Sequence, residues 1–64
     1  MPVPANALLS EAERLKSVSE HLEWLADRHP HVEETLLTIS ASIRSTATLL
    51  ELLVATKLDV LGPS

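Results

Sequence analysis

The five residues DRHPH, Asp27 to His31, decide the fold. They are the only strong break between two apolar-periodic stretches, residues 8–29 and 32–61, each of which reads as an amphipathic helix. A proline pushes the residue before it out of the helical region, so the first helix should stop near Arg28. Pro30 suits the first position of a second helix. Glu33 and Glu34 follow in its first turn, where carboxylates favour the positive end of the helix dipole. Two helices joined by so short a link must fold back on each other. The expected class is therefore all-α, an antiparallel helical hairpin. The expected division is an extended arm over 1–7, helix 1 over 8–29, helix 2 over 30–61 and a tail over 62–64.

Helix 1 places Leu8, Leu15 and Leu22 seven residues apart, with Val18 and Leu25 in the interleaved seam and Ala12, Ser19 and Ala26 flanking it. The opposite side carries Glu13, Lys16, Ser17, Glu20, Glu23, Asp27 and Arg28. Two starts compete: Pro4, tolerated in a first turn, and Ser10, which forms a capping box with Glu13.

Helix 2 has a primary seam of 3–4 spacing through Val32, Leu36, Ile39, Ile43, Thr46, Leu50, Leu53, Lys57 and Val60. A second, uncharged line runs through Thr35, Thr38, Ser42, Ser45, Leu49, Leu52 and Thr56. Between Glu34 and Lys57 the only charges are Arg44 and Glu51, seven apart on one edge. So narrow a charged edge predicts burial on more than one side. Small residues from Ser40 to Ala47 would let another helix approach closely. Gly62 and Pro63 provide the stop, and the last turns, with Leu58, Val60 and Leu61, need cover from a second chain or from the arm around Val3.

A chain of 64 residues buries only about 60% of the surface its unfolded form exposes, and folds this small usually need a staple. There is no cysteine, which excludes disulfides and thiolate metal sites and leaves oligomerisation. The expectation is a homo-oligomer, with a dimer of hairpins forming a four-helix bundle. Its interface is expected to use Leu36, Ile39, Ile43, Leu49, Leu50, Leu52, Leu53 and Val54.

The net charge of −4 and the scatter of five basic residues argue against a nucleic-acid partner. The N-terminus lacks the basic and apolar regions of a signal peptide. The richest apolar run, Leu49 to Leu61, holds Glu51, Lys57 and Asp59 and is too short and too charged for a bilayer. No membrane partner and a cytoplasmic location are thus expected.

Chemistry is sparse. There is one glycine, so no phosphate-cradling loop, and no nucleophile elbow; the acids fall on faces expected to be wet. No enzymatic activity and no cofactor are expected. His29 and His31 flank the hairpin tip and are the candidates for an alternative reading, a small metal- or ligand-binding bundle. No E-x-x-H pair of the carboxylate-bridged metal bundles occurs. Trp24 is the only aromatic of the Phe, Trp and Tyr class. It falls at the centre of the polar face beside His21 and Arg28, a candidate contact for a protein partner or a stack on Arg28 one turn on. The leading functional expectation is a non-enzymatic interaction module, a small regulatory or adaptor protein.

Overall fold

The structure, a computed structural model, describes residues 5–58. It is all-helical. Helix α1 runs Ala5–Arg28, a 3₁₀ turn Pro30–Val32 reverses the chain, and helix α2 runs Glu33–Leu53 into a π-helical turn, Val54–Leu58. The two helices pack against each other along their length as a hairpin.

The break forms as proline chemistry requires. His29 leaves the helix at φ −131°, ψ 75°, outside the helical region that a following proline disfavours. Its amide donates to the Ala26 carbonyl at 3.2 Å, and the Val32 amide donates to the His29 carbonyl at 3.0 Å. The Glu33 amide donates to the Pro30 carbonyl, so the 3₁₀ turn hands the chain directly to α2. Glu33 and Glu34 then occupy the first turn of α2, as expected.

α1 is continuous from Ala5, three residues ahead of the expected start. Ser10 therefore sits inside a helix and caps nothing; the capping box with Glu13 does not form. Pro4, Val3, Val60, Leu61, the Gly62–Pro63 stop and the tail lie outside the described residues, as does the side chain of Leu58.

The interior differs from the leucine seam expected from spacing. The fully buried residues are Ala12, Ser19 and Ala26 of α1 and Ser40 and Ala47 of α2. The small residues expected to flank the seam are the seam itself. Leu8, Leu15, Leu22 and Leu25, with Leu36, Ile43 and Leu50, are only half-buried, and Val18, Val32, Ile39 and Leu53 are exposed. The physical reason is distance. Interaxial separation is set by the side chains at the contact, and alanine and serine at seven-residue intervals let the two backbones close on each other. The leucines then flank the contact rather than fill it.

Two serines in this seam are fully satisfied. Ser19 Oγ donates to the Lys16 carbonyl at 2.8 Å, within its own helix. Ser40 Oγ lies 2.9 Å from the Ser19 carbonyl and 3.1 Å from Glu23 Oε2, so its single proton is shared by acceptors on the other helix. No buried side-chain polar atom among the described residues lacks a partner. At the far end of α2, the Val54 amide is shared between the Glu51 and Leu50 carbonyls, and Thr56 Oγ1 bonds the Leu52 carbonyl at 2.7 Å. The helix widens there into its π turn.

Candidate functional site

Cross-helix ion pairs fix which way the hairpin faces. Lys16 Nζ donates to Glu51 Oε2 at 2.5 Å. Arg44 donates through Nε and Nη2 to both oxygens of Glu23, at 3.2 and 3.1 Å, a two-pronged pairing. Lys16 and Glu23 are seven residues apart, and so are Glu51 and Arg44. Antiparallel packing therefore sets each cation level with an anion. Both Lys16 and Glu23 were expected on a wet face; they stand at the rim of the contact, half-buried. The Glu51 hydrogen bond holds the Lys16 ammonium above its ordinary 10.5, against a smaller opposing effect of desolvation, with the charges of Glu51 and Glu13 adding to the rise.

At about 100° per residue, these ion-paired positions lie on one side of the small-residue seam. The large aliphatic side chains lie on the other. From α1 come Leu15, Val18, Leu22 and Leu25; from α2 come Leu36, Ile39, Ile43, Leu50 and Leu53. Both helices present these residues on the same face of the hairpin. Val18 is 47% exposed, Ile39 44% and Leu53 40%. Glu11, seven before Val18, stands at the open end of this face, away from the turn, and pairs with Arg14 at 3.5 Å.

Among the residues expected at an oligomer interface, Leu36, Ile39, Ile43, Leu50 and Leu53 share this face, and Val54, half-buried, follows at the start of the π turn. Leu49 and Leu52 are not brought to it. They sit on the back of α2, 64% and 51% exposed. The second uncharged line to which they belong is exposed from Thr35 to Thr56, so within one chain α2 is covered on one side only.

Trp24 lies on the outer side of α1, 51% exposed. The Arg28 guanidinium sits 4.3 Å from its ring centroid, the stack that i+4 spacing allows. His21 meets the indole edge-on at 5.7 Å. With Ser17 and Glu20 these rings border a shallow, open cavity of about 420 Å³. At the hairpin tip, the His29 and His31 rings stand nearly perpendicular, T-shaped, at 6.1 Å between centroids. Among the described residues, no three His, Cys, Asp or Glu side chains converge on a point that could hold a metal ion.

Pro30–Lys57 is long and apolar enough, by length and composition alone, to cross a membrane. The run from Leu49 to Leu61, with its three charges, is the more charged choice of window. A window starting earlier, at the serine- and threonine-rich half of α2, contains only Arg44 and Glu51. Both of these are turned to α1 in ion pairs.

Sequence reasoning missed the crossed ion pairs and the α1 half of the small-residue seam; on α2 it marks Ser40 to Ala47 for close approach. Their signal was present: the heptad sets 12/19/26 and 40/47 run beside the leucine sets 8/15/22 and 36/43/50. Comparison with protein-family models, with curated proteins and with solved structures finds no match for this chain.

Proposed function

We propose that this chain is a non-enzymatic, self-associating helical module. Two hairpins pack through their aliphatic faces into a four-helix bundle, and the module serves as a small regulatory or adaptor unit. The observation that carries this reading is the segregation of the hairpin into an ion-paired face and an aliphatic face that no part of the described chain covers. In a dimer, Trp24 and Arg28 remain outside, available to a further protein partner.

Size-exclusion chromatography with light scattering at micromolar concentration tests the reading. The expected mass is twice 7.0 kDa. A well-folded monomer overturns it.

The composition of Pro30–Lys57 favours a second reading, in which α2 contacts a lipid bilayer. A spanning α2 would carry Arg44 near its middle, at a cost of about 2.5–3.5 kcal/mol. It would also give up the pairing of Arg44 with Glu23. The soluble bundle is preferred on that ground. Flotation of the chain with liposomes separates the two, because the bundle stays at the bottom of the gradient.

A further inference from the structure

We infer that Glu23, Ser40 and Arg44 form a rotation latch. Their bonds hold the hairpin on its small-residue seam, and without them each helix turns until the leucine-rich lines meet. The latch acts within one chain. It goes beyond the self-association proposed above, because it names what keeps the aliphatic face turned outward. Two packings are open to these helices, since each helix carries two lines of seven-residue spacing side by side. On α1 they are Leu8, Leu15, Leu22 and Ala12, Ser19, Ala26; on α2 they are Leu36, Ile43, Leu50 and Ser40, Ala47. In each helix the two lines are offset by four residues, hence by about 40° around the rod. The small-residue lines are fully buried and the leucine-rich lines half-buried. A turn of about 40° in each helix exchanges one line for the other.

Apolar burial within one chain favours the leucine-rich lines, because they remove more aliphatic surface from water than alanine and serine do. Polar bonds oppose it. Among the described residues, five side-chain hydrogen-bond contacts cross between the helices, and four of them run through these three residues. Ser40 ties the set to the seam. It is 1% exposed, and its hydroxyl finds acceptors only on α1, the Ser19 carbonyl and Glu23 Oε2. The other buried hydroxyl, that of Ser19, bonds within its own helix and would do so at any rotation. Glu23 takes Ser40 and Arg44 together, so one carboxylate joins the seam to its charged rim. The turn that brings the leucine-rich lines together carries Glu23 and Arg44 apart on the outward side and moves Ser40 out of the contact. The two packings are therefore exclusive: a hairpin with the latch closed leaves the leucine-rich lines half-covered, and one that covers them breaks the latch.

The test uses Ala47→Leu as a probe of which line faces inward, read by urea denaturation of the full chain at one protein concentration. On the small-residue seam a leucine at 47 has no room, and the folding equilibrium should fall about 30-fold. In the chain that also carries Glu23→Ala and Ser40→Ala, position 47 stands beside the contact, and the same probe should cost less than about threefold. Residues 40 and 47 are about 10 Å apart along the rod, far enough for their effects to add unless the packing changes. Glu23→Gln keeps an acceptor for Ser40 and should keep the 30-fold penalty. The second measurement is methyl nuclear Overhauser contacts across the hairpin. Ala12, Ala26 and Ala47 should show them in the original chain; in the Glu23→Ala, Ser40→Ala chain they should pass to Leu15 and Leu22 against Ile43 and Leu50. An undiminished probe penalty, or unchanged contacts, overturns the latch. So does an unfolded Glu23→Ala, Ser40→Ala chain, because the leucine-rich lines should hold it together by themselves. A wild-type monomer in light scattering removes self-association and leaves the latch standing.

Discussion

The two faces of the hairpin use the same seven-residue spacing for opposite purposes. On one, Lys16, Glu23, Arg44 and Glu51 satisfy one another across the helices. On the other, leucine, isoleucine and valine residues recur at the same interval and remain half-buried or exposed. Exposed ion pairs contribute about 0.2–1 kcal/mol each, so the charged face supplies alignment more than stability. The aliphatic face holds the larger unrealised energy, at about 25 cal/mol for each Å² that a second molecule removes from water. The stability of the molecule should thus depend on a surface that a single chain does not bury.

The strongest way to break this comparison is to charge the aliphatic face. Ile43→Asp should destabilise the proposed dimer by about 3 kcal/mol or more, because dimerisation would bury an unpaired carboxylate. Denaturation followed by circular dichroism should then lose its dependence on protein concentration. An unchanged, concentration-dependent midpoint would place the interface elsewhere.

Next in size is the seam between the faces. Ala47 has no exposed surface, and Ala47→Leu should cost about 2 kcal/mol by forcing the helices apart. Urea denaturation measures it. A neutral outcome would mean that the hairpin closes on leucines after all.

The charged face should respond weakly and with a definite sign. Glu23→Gln should cost about 0.5 kcal/mol, with the difference vanishing in high salt. The Lys16 ammonium is held above its ordinary 10.5 by Glu51. Its contribution is complete at neutral pH and up to that value, and disappears as pH climbs through the raised folded-state value. Thermal denaturation above about pH 10.5 should show this alkaline loss in the wild type and not in Lys16→Gln. The smallest effect on folding belongs to Trp24→Ala, since the indole touches only its own helix: about 0.5 kcal/mol or less. Intact unfolding with weakened capture of a protein partner would assign Trp24 to that partner.

Much of the fold was legible because its signals are local. The break at Pro30 depends on one ring and the residue before it, and the acidic first turn of α2 on two neighbouring glutamates. The start of α1 was half legible: Pro4 and Ser10 both offered a beginning, and a helix already formed at Ala5 leaves Ser10 inside it. The aliphatic face was half legible. Its members on α2 were legible as a seam; Leu49 and Leu52 fall on the second, uncharged line at the back of α2 and are 64% and 51% exposed. The stack of Arg28 on Trp24 was legible because residues four apart on a helix are always neighbours.

The sequence alone determined two helices, one sharp reversal, and the angular order of side chains around each rod. Tertiary structure decided which angle of each rod faces the other. Periodicity fixes positions relative to their own helix axis and is silent on rotation about it. That rotation was settled jointly: Ala12, Ser19, Ala26, Ser40 and Ala47 permit close approach, while Lys16 and Glu23 find Glu51 and Arg44 on one side only. No single stretch of chain contains both halves of that match.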